Sequence, residues 1–172
     1  MLGLLEAELV RPPRAVIIDL RSNIGGRSDE IGPLLAPFFA EPRLVARMKY
    51  GWLPERRLRT RPGRLSFDGP LAVLTSKGSA SAAEIYAAAV QEARRGIVVG
   101  RTTAGAVVGA RHYALPDGGR LSVGVVSIQT ADGHVLEKVG VTPDLEVAPL
   151  AADIRAGRDP TLEAAVQALL RP

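Results

Sequence analysis

The chain has 172 residues, 47% of them hydrophobic and only 4% aromatic, which suits one domain whose core is built from Ala, Val, Leu and Ile. It has no cysteine, which excludes disulfides, thiolate metal ligands and a cysteine nucleophile, and its two histidines, His112 and His134, are not at metal-ligand spacing. Much of the basic excess behind the net charge of +4 sits in Arg43, Arg47, Lys49, Arg56, Arg57, Arg59, Arg61 and Arg64. This stretch reads as a solvated strand and loop rather than a nucleic-acid surface, although Tyr50 and Trp52 lie within it.

Met1 to Val10 is apolar but short, holds Glu6 and Glu8, and lacks the basic start and cleavage site of a signal peptide. No run approaches the roughly 20 apolar residues of a membrane span. Leu2 to Leu9 reads as a helical turn or two, broken by Arg11-Pro12-Pro13-Arg14. Ala15 to Leu20 is a continuous apolar run with one late charge, the pattern of a strand buried on both faces. After the glycine turn Asn23-Ile24-Gly25-Gly26, Ser28 or Asp29 is expected to cap a helix reaching about Phe39. Arg43 to Gly51 alternates as a strand, and Leu71 to Thr75 is a second buried strand. Ser79 or Ser81 then opens a helix, with Ala82, Ile85, Tyr86, Ala89, Val90 and Ala93 on one face and Gly96 at its end. Ile97 to Gly100 is a third buried strand, and a hairpin follows, with Leu121 to Ile128 as its second arm. Val139 to Val147 is extended but broken by Pro143, and Asp159-Pro160 starts a last helix through Leu170. Strands alternating with helices argue for an α/β domain with parallel pairs, and the hairpin adds an antiparallel part.

Four segments stand out. Asp19-Leu20-Arg21-Ser22-Asn23-Ile24-Gly25-Gly26 ends a buried strand, where adjacent glycines let backbone N–H groups approach an oxyanion. It reads equally as a plain turn with Asp19 and Arg21 paired. Gly78-Ser79-Ala80-Ser81-Ala82-Ala83-Glu84 puts a serine at a helix N-terminus, beside free N–H groups and the positive end of the dipole. By itself, Ser81 followed three residues later by Glu84 is better read as a capping box. Gly100-Arg101-Thr102-Thr103-Ala104-Gly105-Ala106 and Glu137-Lys138-Val139-Gly140-Val141-Thr142-Pro143-Asp144 are each, alone, only loops.

Together and in this order, the four resemble the catalytic core of the tail-specific, or C-terminal processing, serine peptidases. That family shows an Asp-Leu-Arg-x-Asn-x-Gly-Gly turn, a Ser-Ala-x-Glu helix start, a Gly-x-x-Thr-x-Gly loop and a Gly-Val-x-Pro-Asp motif. The resemblance spans roughly Leu2 to Leu170 and implies a Clp-protease/crotonase-like α/β core, mostly a parallel sheet with flanking helices plus a β-hairpin. It maps Ser81 onto the nucleophile and the N–H groups of Ala82 and of Gly25 or Gly26 onto the oxyanion hole. It implies a polypeptide substrate, no cofactor, no metal and no nucleic acid, and action in the cell envelope or outside it. It leaves association into oligomers open.

The base is where the sequence departs from the family. The Ser–Lys branch places its lysine at the position held here by Ala106, and no lysine falls between Lys77 and Lys138. A serine without a base is a weak nucleophile. The tricorn-core-like branch uses a histidine ahead of the Asp-Leu-Arg strand and a glutamate matched here by Glu137, and the chain is closer to that branch. No histidine precedes His112. The expectation is a single peptidase-type core over residues 1–172, without the N-terminal PDZ or helical part and with Ser81 and Glu137 as catalytic residues. The alternatives are a non-cutting peptide- or ligand-binding module, or a local base such as His112 or His134.

Overall fold

The structure, a computed structural model, describes residues 5, 8–10, 13–61 and 66–170. Its frame is two four-stranded sheets with a helix between them. In the first, β1 (Val16–Asp19), β4 (Leu71–Thr75), β5 (Ile97–Gly100) and β8 (Leu145–Glu146) run parallel in the order β1-β4-β5-β8. In the second, β2 (Leu44–Lys49), β3 (Arg56–Arg59), β6 (Gly109–Ala114) and β7 (Arg120–Thr130) run antiparallel in the order β3-β2-β7-β6. The antiparallel part is thus a sheet in its own right, because the strand at 44–49 joins the hairpin instead of the parallel set.

Helix α2 (Ala82–Glu92) lies between the sheets and touches β4 and β5 on one side and β2 and β7 on the other. Ala83 through Val90 are all buried. The sequence pattern showed one apolar face, but a helix covered by two sheets is buried nearly all round. The outer face of the parallel sheet is covered by α4 (Pro160–Leu170). This explains why β4 is buried at every position. Leu71 and Val73 join the core beneath α2, while Ala72 and Leu74 pack with Ala165 under α4. No helix of the described residues is long and apolar enough to cross a membrane.

Several elements differ from expectation. Of the helical turn expected at residues 2–9, Leu5, Glu8 and Leu9 are helical and the rest lies outside the described residues. The helix expected from Ser28 to Phe39 is instead a 3-10 turn (Ser28–Glu30), a short α1 (Ile31–Leu35) and a second 3-10 turn (Ala36–Phe38). Neither Ser28 nor Asp29 caps it: Arg27 holds the cap position, and the Asp29 carboxylate bonds Arg27. Pro33 and Pro37 each lack an N–H, which deprives a continuous helix of its ladder. Helix α2 ends on Arg94 in a left-handed conformation (φ 51°), not at Gly96. Gly96 has a different task, since a Cβ there would lie 2.5 Å from the Leu71 carbonyl oxygen.

Between 139 and 147 only Leu145–Glu146 is strand. Pro143 has no N–H, and Asp144 substitutes for a ladder residue by accepting the Val98 N–H (2.7 Å) through its side chain. Strand β3, three arginines around Leu58, and the short α3 (Ala151–Arg155) carry too little periodicity to be read beforehand.

Arg21 pins α4 to the end of β1. Its guanidinium bonds both carboxylate oxygens of Asp159 (2.7 and 2.8 Å), the residue that caps α4, and also Asp19 (2.6 Å). The Arg21 hydrogen bond holds the Asp19 carboxyl below its usual 3.8 against partial burial. At Asp159 partial burial opposes ionisation but is outweighed by the bonds from Arg21 and Leu162, so that carboxyl is lowered too. Carboxyls lowered by folding stabilise the fold above their unfolded value and lose that contribution as pH falls through the folded one. Wild type should therefore exceed Arg21→Leu by about 1 kcal/mol near neutrality, because both carboxylates are screened by solvent. Urea melts should show this gap closing below the usual carboxyl value of 3.8. A gap that persists in strong acid contradicts the assignment.

Candidate active site

The loop from β4 to α2 is stitched to the turn after β1. Ser76 Oγ donates to the Arg21 carbonyl (2.5 Å), Ser79 Oγ donates to the Leu20 carbonyl (2.7 Å), and the Ala80 N–H bonds the Asn23 carbonyl (3.0 Å). The hydroxyls of Ser76 and Ser79 are therefore committed to structure. Ser81 is different: it makes no capping hydrogen bond through its side chain. Only the return half of the expected capping box forms, with Glu84 Oε2 accepting the Ser81 N–H at 2.9 Å.

Ser81 sits at φ 56°, ψ −118°, a conformation that costs a non-glycine residue about 1–3 kcal/mol. It occupies the tip of a strand–turn–helix junction, the local geometry that presents a serine hydroxyl at the top of a sheet. Gly25, at φ 102°, packs against it so closely that a Cβ there would lie 2.6 Å from Ser81 Cβ and 2.9 Å from the Ala80 carbonyl oxygen.

The expected oxyanion donors separate. The Gly25 N–H is taken by Asn23 Oδ1 (2.9 Å), so Gly25 does not fit the donor role; it is the spacer that lets the two loops touch. Gly26 and Ala82 line a cavity of about 400 Å³ together with Ser81. Ala82 is the first residue of α2, so its N–H has no acceptor within the helix and lies at the positive end of the dipole. Asn23 fixes the glycine turn through both its side chain and its carbonyl, a task that the local sequence pattern does not mark.

Glu84 is fully buried and receives four donors: the Ser81 N–H (2.9 Å), Thr103 Oγ1 (2.6 Å), the Gly105 N–H (2.7 Å) and the Ala106 N–H (2.9 Å). The N–H groups of Ser81 and Ala106 share the same oxygen, Oε2, which puts residue 106 beside Ser81. Glu137 bonds the wall of the cleft: its Oε2 accepts the N–H groups of Val107 (2.7 Å) and Val108 (3.1 Å). Val108 lines the cavity, but Glu137 makes no hydrogen bond to Ser81.

Neither histidine lines this cavity. His112 is exposed on β6, paired with Ser122. His134 bonds Glu92 (2.8 Å) at the far end of α2, about 16 Å along the helix from Ser81. Lys77 and Lys138 are exposed and outside the lining as well. The described residues that line the cavity include no histidine or lysine.

Residues 6–147 match Peptidase family S41. The chain belongs to that family. It is 33% identical over 128 residues to a carboxyl-terminal-processing protease of Synechocystis, a match covering 74% of this chain and 30% of the relative. Among solved structures it superposes on the photosystem II D1 C-terminal processing protease with a TM-score of 0.70 at 25% identity, covering 86% of this chain and 37% of that one. The tricorn protease superposes at 0.69 and 26% identity, covering 91% of this chain and 15% of that one. The S41 chain thus spans roughly a quarter to a third of the length of the curated relatives it matches.

Two stability measurements test this geometry. If Ser81 is strained, Ser81→Gly should exceed Ser81→Ala in stability by about 1 kcal/mol, although glycine normally costs entropy. Equal or reversed stabilities would show that the backbone there is relaxed. Glu84→Gln puts an NH2 group against backbone donors and should cost about 2–4 kcal/mol in equilibrium denaturation. A loss below 1 kcal/mol would mean that the four contacts are dispensable.

Proposed function

We propose that this chain is the nucleophile-bearing core of a serine peptidase that cuts polypeptides near their C-termini. The observation that carries the reading is the uncommitted Ser81 hydroxyl, held in a strained turn at a cavity that Gly26 and Ala82 also line, whose N–H groups we take as the oxyanion donors. Ser81 Oγ attacks the scissile carbonyl carbon, and the oxyanion that forms is met by those two N–H groups. The C–N bond breaks, the amine leaves with a proton, and water then hydrolyses the acyl ester. The names of the matched relatives, processing proteases of bacteria and chloroplasts, favour cutting over a non-cutting module and favour action outside the cytoplasm.

The proton of Ser81 needs an acceptor, and we assign it to a histidine contributed from beyond these residues, as in the tricorn-like branch. The alanine at 106 and the positions of His112 and His134 support this assignment. Glu137 then acts by holding Val107 and Val108, and with them the cleft wall.

A fluorophosphonate probe should label the protein when a segment carrying this histidine is supplied with it, and Ser81→Ala should abolish labelling. Failure of the folded, extended protein to label removes the reading. Ala106→Lys in the 172-residue chain should raise labelling at least tenfold, because residue 106 shares a carboxylate oxygen with Ser81.

A further inference from the structure

The cleft at Ser81 does not close behind the serine. It continues into a second, shallower cavity of about 680 Å³ beneath the exposed Trp52, and Tyr50, Val108 and Arg111 line both. The described lining of the two cavities carries two cations, Arg111 and Lys49, and no Asp or Glu. Among the described residues, Arg111 is the one charged residue lining the cavity that contains Ser81. The carboxylate attached to this wall, Glu137, faces the N–H groups of Val107 and Val108. Asp29, next to the lining residue Ser28, is paired with Arg27.

Arg111 is exposed on β6 and forms no ion pair among the described residues. Other arginines of this surface differ: Arg47 and Arg57 share Glu55. Among the described residues strand β6 pairs with β7 alone, and Gly109, Ala110 and Arg111 of β6 line the cavity with Ser81. An edge strand with unpaired backbone groups can take an extended peptide as an added strand. A peptide laid there passes Arg111 on its way to Ser81.

We propose that Arg111 is a specificity-determining residue that binds a carboxylate of the polypeptide substrate and makes the cleft selective for peptides that present a carboxylate at that point. A guanidinium holds a carboxylate through two parallel N–H bonds, and a cleft lined by one sign of charge concentrates the opposite one. The chemistry is the same whether the carboxylate is an Asp or Glu side chain or the free C-terminus. The inference rests on Ser81 being the reacting group only for where the peptide is cut, not for whether it binds.

The test therefore separates binding from cutting. Ser81→Ala in the 172-residue chain is titrated by fluorescence anisotropy with a matched peptide set: Glu or Gln at each interior position, each made with a free or an amidated C-terminus. One arm should bind about tenfold or more tighter, as expected for one charge-assisted contact. Preference for Glu over Gln identifies a side chain, and preference for acid over amide identifies the terminus. Adding Arg111→Gln should remove that preference while changing affinity for the neutral peptide less than twofold, and Arg111→Lys should restore part of it. In a Ser81-intact, cleaving preparation, Arg111→Gln should raise KM for the acidic peptide and leave kcat unchanged. No preference, no measurable binding by any peptide, or a preference that survives Arg111→Gln overturns the proposal. Arg111-dependent binding without any cleavage sinks the peptidase reading instead and leaves this one standing.

Discussion

The site depends on one buried carboxylate. Ionised groups are costly inside a protein, and the cost is offset only by close partners. Glu84 has four donors, one from its own helix start and three from the loop after β5. It binds the N–H of Ser81, so it helps to hold the strained turn. It binds Thr103, Gly105 and Ala106, so it fixes the loop after β5. Thr103 in turn accepts the Val141 N–H (2.7 Å) through its hydroxyl, which draws in the Gly-Val-x-Pro-Asp segment. Gly140 allows that approach, since at φ 79° a Cβ there would lie 2.7 Å from the Thr103 carbonyl oxygen.

The first motif reaches the same point from the other side. Gly25 packs on Ser81, and the hydroxyls of Ser76 and Ser79 bond the carbonyls of Arg21 and Leu20. Three serines lie within six residues, and two are consumed in joining loops. What distinguishes Ser81 is the bond it lacks. Strain in its backbone is tolerated because its N–H and its carbonyl are both bonded, which leaves the side chain to point outward.

The two sheets divide the work. The parallel sheet and α2 present Ser81, and the antiparallel sheet supplies the opposite wall through Met48, Val126, Ile128 and Arg111. Helix α2 touches both sheets, so its N-terminus is fixed relative to both halves of the cleft. The cleft is therefore a product of packing between sheets, and no single segment of sequence encodes it.

The sequence by itself determined the parallel core and the four motifs. Runs such as Leu71 to Thr75 and Ile97 to Gly100 are apolar on both faces, and a strand between two covering layers must be so. The motifs also marked Ser81 and the absence of a lysine at 106. Only tertiary structure decided that the Gly25 N–H is claimed by a side chain two residues away and that neither histidine lines the cavity with Ser81. It alone showed that Glu84 joins its own motif to the loop after β5, and through Thr103 to a third, and is more than a helix cap. Local pattern reports burial and turn chemistry, whereas a hydrogen bond between residues 84 and 105 exists only after β4, α2 and β5 have packed.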